Sequence, residues 1–127
     1  MNKKRLFKDV ILSKHVTVCR SVFTKGFGLM FSKERKDFAY VFPFKKKRRI
    51  VITMCCVFYP IDIVFLDEKN IVVDLVENLK PFRNYEPKKK SFVAIELPRG
   101  SIKNFSLRIG NRLFWDDDKV KLRITLD

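Results

Sequence analysis

Apolar and polar residues alternate along this chain in short runs cut by turn residues, a pattern of many strands with little helix. Residues 5–12 and 14–20 read as strands, the second placing His15, Thr17 and Cys19 on one face and Val16 and Val18 on the other. Residues 21–31 are glycine-punctuated and read as a short helix or turn with Ser21 as its N-cap. Residues 38–42 make a short aromatic strand closed by Pro43, and Lys45, Lys46, Lys47, Arg48 and Arg49 come next as a basic loop. Residues 50–58 predict one long strand, apolar on both faces and therefore central and buried. Residues 61–66 and 71–76 predict a hairpin around Asp67-Glu68-Lys69-Asn70, and their Val- and Ile-rich, two-sided apolar character makes them central and buried. Pro81 and Pro87 punctuate a loop ending in Lys88-Lys89-Lys90. Segments 92–97, 112–115 and 120–126, with a short segment 102–105, complete the chain, and Asp116-Asp117-Asp118 is the last turn. The whole describes an all-β sandwich or barrel spanning residues 1–127 as one domain, with no internal repeat and no linker.

Composition agrees with a folded chain. Of 127 residues, 46% are apolar and 13% aromatic, enough for one real core at a length that buries about two thirds of the unfolded surface. Charge adds something new: 28 Lys and Arg against 14 Asp and Glu give a net +14. Such a field attracts polyanions, whether nucleic acid, an anionic membrane surface or an acidic partner, and also serves plain solubility. Asn2-Lys3-Lys4-Arg5 imitates the start of an export signal, but Lys8, Asp9 and Lys14 keep an apolar stretch of the required length from developing. Residues 50–66 are too short for a membrane span and include Thr53, Pro60 and Asp62. A cytoplasmic protein without membrane insertion is expected.

Several blocks together resemble a known family. Gly28-Leu29-Met30-Phe31 is similar to its GLMF signature, residues 38–42 to its aromatic strand, and Pro60-Ile61-Asp62 running through Phe65-Leu66-Asp67 to its PLD block. Glu96-Leu97-Pro98-Arg99-Gly100 with Ile109-Gly110-Asn111 resembles its ending. The blocks keep their order over about residues 14–115, and on them the chain resembles the domain-of-unknown-function 192 family, most of all its archaeal members. The resemblance implies a compact β-sandwich with jelly-roll-like topology and implies no activity. Thr53-Met54-Cys55-Cys56-Val57 replaces the Trp-Met-Lys-Asn-Thr stretch common in bacterial members, so no role of that Lys and Asn carries over.

Candidate chemistry is sparse. His15, Cys19, Cys55 and Cys56 are numerous enough for a zinc site, but His15 and Cys19 stand about 13 Å apart on a strand at roughly 3.3 Å per residue. Cys55 and Cys56, read on one strand, point to opposite faces. They are therefore expected to behave as buried hydrophobes, with no metal, cofactor or disulfide. The glycines at 26 and 28 lack the setting of a nucleotide loop, and the three aspartates lack the spacing of a calcium loop.

Asp62 and Glu96 are the polar residues that apolar strands carry inward. Brought to one pocket they would bind a ligand or act as an acid and base pair; apart, Asp62 would fix the chain's path by accepting backbone N–H bonds or by pairing with an Arg at a loop junction. The residues 45–49, with Phe42, Phe44, Phe82 and Tyr85 each close in sequence to lysine or arginine, have the ingredients of a single-strand nucleic-acid groove. The reading that results is a noncatalytic module binding a small ligand or a protein. The alternative is an electrostatic nucleic-acid binder using Lys45 to Arg49, and the third is a carboxylate- or metal-dependent enzyme.

Overall fold

A computed structural model describes residues 6–20, 29 and 32–126. Among these residues, ten strands and one short helix follow in the order β1 Leu6–Ser13, β2 Val16–Val18, β3 Ala39–Arg48, β4 Ile52–Thr53, β5 Ile61–Leu66, β6 Val72–Leu79, β7 Asn84–Tyr85, β8 Ser91–Pro98, α1 Ser101–Asn104, β9 Arg112–Trp115 and β10 Val120–Leu126. The all-β expectation holds, as a layered sandwich.

A five-stranded sheet in the order β2-β3-β8-β5-β6 forms the middle layer. Its side chains alternate between two cores. Ile61, Ile63, Phe65, Phe42 and Ala94 join one, which also takes in Phe38, Met54 and Tyr59. Val64, Leu66, Val41, Ile95 and Leu97 join the other, with Ile102 of α1 and Leu113, Val120 and Leu122 of the three-stranded sheet β1-β10-β9. Every residue of β5 is buried because the strand is covered on both sides. Each of its large apolar side chains contributes about 1.5–3 kcal/mol of transfer free energy.

The predicted hairpin of β5 and β6 forms, and its turn is held by Asp67, whose Oδ1 accepts the N–H groups of Lys69 at 2.8 Å and Ile71 at 3.0 Å. Asn70 supplies the left-handed residue at φ 64°. Asp116 caps the β9–β10 turn in the same way, accepting from Asp118 and Lys119 at 2.8 and 2.9 Å.

Two expectations need correction. Residues 45–48 are not a loop: β3 runs through Pro43 to Arg48. Ala39 donates to His15 and Val41 accepts from Cys19, so these residues turn their backbone groups toward β2; by alternation Pro43 does too. There β2 has ended, and the missing N–H breaks no ladder bond. Residues 50–58 are not one strand: β4 covers two residues, pairs only with the equally short β7, and then turns, with Cys56 at φ 59°. Segment 102–105 falls largely in α1, whose Gly100 cap has φ 86°. The readings of Ser21 as a cap and of Gly26 and Gly28 as a turn lie outside the described residues.

Candidate functional site

Three carboxylates are buried, and their surroundings differ. Asp62 lies in β5 opposite a bulge in β6: Ile61 pairs with Leu79 but Ile63 with Val76, so two residues, Glu77 and Asn78, stand against one. Asp62 Oδ1 accepts the N–H of Asn78, itself at φ 52°, at 2.8 Å. Its Oδ2 accepts the N–H of Ile102, in the first turn of α1, at 2.8 Å. One carboxylate thus joins a bulge to a helix start that lies 40 residues beyond Asp62 in the sequence. Charge-assisted bonds to backbone N–H groups of this kind contribute about 1.5–3 kcal/mol each.

Asp74, in β6, is equally well provided. Its oxygens accept from Tyr85 Oη at 3.1 Å, from the Lys88 N–H at 2.9 Å and from the Leu75 N–H at 2.8 Å. Burial, with Asp74 adding to it, pushes the Tyr85 hydroxyl up to about 12. This contact ties the 80–90 segment to the central sheet, and the Tyr85 ring packs 5.8 Å from that of Phe65. Sequence reasoning missed the pair because Asp74 falls in an apolar strand and Tyr85 in a loop, and no local pattern connects them.

Glu96 is different. It is 7% exposed and, among the described residues, has no hydrogen-bond or ion-pair partner. Burial in apolar surroundings pushes its carboxyl up to about 8, so it stays protonated near neutral pH. Register places it between Tyr40 of β3 and Ile63 of β5. Phe38 meets Tyr40 and Tyr59 edge-on, at centroid distances of 6.1 and 6.4 Å. Tyr59 Oη shares a 2.6 Å hydrogen bond with Ser32 Oγ. Burial raises the Tyr59 hydroxyl, against the opposing effect of that bond, and the Glu96 charge adds to the rise. Two residues on along the same face, Pro98 lines a cleft of about 420 Å³ with Glu34, Arg35, Lys36 and Arg99. Across it Arg99 Nε meets Glu34 Oε1 at 2.8 Å.

The two candidate carboxylates are not brought together. Asp62 pairs with Leu97 and Glu96 with Ile63 across β5 and β8, so each faces a different core. An acid and base pair made of these two residues has no shared pocket.

Lys45, Lys46, Lys47, Arg48 and Arg49 are all exposed. Arg48 stands 5.0 Å above the Phe44 ring and pairs in register with Ser91, which sets the second basic run, residues 88–90, beside the first. The cysteines separate: Cys19 is buried, Cys56 half-buried and Cys55 exposed. In their turn the Cys55 and Cys56 sulfurs lie 3.7 Å apart, against the expectation of buried side chains on opposite faces. Among the described residues no three His, Cys, Asp or Glu side chains gather as metal ligands, and no helix is long and apolar enough to cross a membrane.

Comparisons agree with this fold. The chain is 38% identical over 95 residues to a UPF0127 protein of Pyrococcus furiosus, covering 74% of this chain and 81% of that one. It is 32% identical over 108 residues to a UPF0127 protein of Pyrococcus horikoshii, covering 85% and 93%. A crystal structure of a protein of unknown function from Novosphingobium aromaticivorans superposes with a TM-score of 0.73 at 17% identity, covering 79% of this chain and 74% of that one. A putative transcription regulator from Sinorhizobium meliloti superposes with a TM-score of 0.71 at 16% identity, covering 98% of both chains. Identities this low extend the likeness to the fold alone. The sequence profile of DUF192, described as an uncharacterized ACR, matches residues 7–115, and the chain belongs to that family.

Proposed function

We propose that this protein is a noncatalytic module that binds a small ligand at the aromatic face of its central sheet, with Glu96 as the polar anchor. The observation that carries the reading is the contrast among three buried carboxylates. Asp62 and Asp74 each accept at least two hydrogen bonds from fixed donors, whereas Glu96 has none among the described residues. A carboxyl held in apolar surroundings with little access to water is poorly solvated, which costs stability unless a partner completes its hydrogen bonds. A ligand that completes the bond recovers that cost on binding.

The neighbours set the chemistry of the ligand. A protonated Glu96 both donates and accepts a hydrogen bond, and half-buried Tyr40 on the neighbouring strand offers ring surface, with buried Phe38 packed edge-on against it. That combination suits a small neutral molecule with an amide, hydroxyl or ring nitrogen on a flat apolar body. Arg35 and Lys36, in the cleft lined by Pro98, would favour a negatively charged substituent at its outer end. The test is a fragment titration monitored by NMR on wild type and Glu96→Met, which keeps the length of the side chain and removes both its donor and its acceptor. Ligands should perturb Tyr40 and Tyr59 resonances and bind the variant at least about tenfold more weakly. Binding that is indifferent to Glu96, or that maps elsewhere, would overturn the reading.

A further inference from the structure

We infer that a second surface, distinct from the Glu96 face, binds single-stranded nucleic acid. Two basic runs 40 residues apart in sequence become neighbours because Arg48 pairs with Ser91. Residues 45–49 and 88–90 then supply eight exposed cations. Of the acidic residues near them, Glu86 faces Arg49 at 4.0 Å and the buried Asp74 is engaged by the Lys88 N–H at 2.9 Å. From this ridge the β4–β7 ribbon leads away. At its other end the Phe82 N–H bonds Met54 O at 3.0 Å, bringing residues 54–58 against residues 80–83.

That end carries Phe58 and Phe82, 62% and 58% exposed, edge to face at 5.3 Å, with exposed Lys80 and Arg83 beside Phe82 in the chain. Phe82 has φ 62° and Cys56, in the opposing turn, φ 59°. A bulky residue rarely adopts this backbone, and it presents its ring to solvent where burial would have offset the strain. In an edge-to-face pair one ring keeps both faces clear of its partner. Cations in line, ending at open aromatic faces, match a strand whose phosphates track the charges and whose unpaired bases stack on the rings. A duplex hides its bases from such rings. A membrane wedge gathers its cations around the apolar tip, whereas here most of them lie beyond the ribbon.

The probes are a labelled oligo(dT) of about 20 nucleotides, its duplex with oligo(dA), and vesicles rich in phosphatidylserine. Fluorescence anisotropy over a salt series should show binding to the single strand with a log-log slope of about −3 to −4, from four to six phosphate contacts. The combined Lys45→Gln, Lys46→Gln and Lys47→Gln variant should lower that slope by about 2. Phe82→Asn suits the left-handed backbone, so it should melt no lower than wild type, yet bind about tenfold more weakly at unchanged slope. No single-strand binding at about 50 mM salt, or binding that prefers the duplex and ignores Phe82, would overturn the proposal. Phe82-dependent binding to vesicles alone would also overturn it, in favour of a membrane surface. None of these outcomes depends on Glu96.

Discussion

Asp62 and Glu96 stand on adjacent strands one register step apart, and they face opposite cores of the same sheet. Because side chains in a strand alternate, that single step gives two acids of similar sequence context different work. Asp62 closes backbone bonds, and Glu96 finds no hydrogen-bond partner among the described residues.

Asp62→Asn should therefore act on stability. The amide keeps one acceptor oxygen but turns its NH₂ toward a backbone N–H, on either Asn78 or Ile102. Loss of one charge-assisted bond and a donor facing a donor should cost about 2–4 kcal/mol, read as a fall in the urea midpoint at constant m value. An unchanged midpoint would show that Asp62 does not hold the bulge and α1 together.

Glu96 should make stability fall as pH rises. Its folded carboxyl titrates at about 8 against an ordinary value of 4.5, so between those pH values the folded state holds a proton that the unfolded state has lost. Stability from this group is complete below about pH 4.5 and should decline by up to roughly 1.4 kcal/mol per pH unit until about pH 8, then level off. Glu96→Gln should remove this decline. Chemical denaturation of both proteins at pH 5, 7 and 9 measures the difference.

Tyr85 should ionise only near pH 12, because burial and the Asp74 carboxylate both oppose a phenolate there. Asp74→Asn should bring the transition down, and Tyr85→Phe should abolish it while costing about 1–2 kcal/mol, since Asp74 keeps two backbone donors. Ultraviolet titration of the phenolate together with thermal melting reads both effects.

The cysteines should alkylate in the order of their exposure. Cys55 should react with a maleimide in the native protein and Cys19 only after denaturant is added. Cys56 should lag behind Cys55, since its half-buried thiol is held protonated by the hydrogen bond with Cys55 and by burial. Mass spectrometry of quenched time points gives the order, and early labelling of Cys19 would contradict its place in the core.

Legibility in the sequence tracks the strength of local patterns. The β5–β6 hairpin was readable because two apolar runs flank a turn whose Asp67 and Asn70 suit it chemically. Residues 50–58 misled because their burial does alternate, with Ile52 and Met54 in and Val51, Thr53 and Cys55 out, although only two residues have a partner strand. The basic run read as a loop because charge says nothing of the backbone, and Arg48 stays in the strand by pairing with Ser91 and lying over Phe44. Asp62 and Glu96 were visible as acids in apolar strands. Which core each faces was not, since it depends on the register of β5 against β8, a relation 33 residues apart in sequence for the Ile63 and Glu96 pair. The Phe58 and Phe82 pair was hidden for the same reason: their meeting is made by β4 and β7, strands too short to leave a pattern.

The most direct measurement is the pH titration of the Glu96 side-chain carboxyl by carbon-13 NMR, assigned by its loss in Glu96→Gln. A buried, unpartnered anchor should titrate near pH 8, and an added ligand should move that midpoint. A midpoint near the ordinary 4.5, unmoved by any ligand, would mean that Glu96 is solvated or paired, and the proposed binding face would lose its anchor.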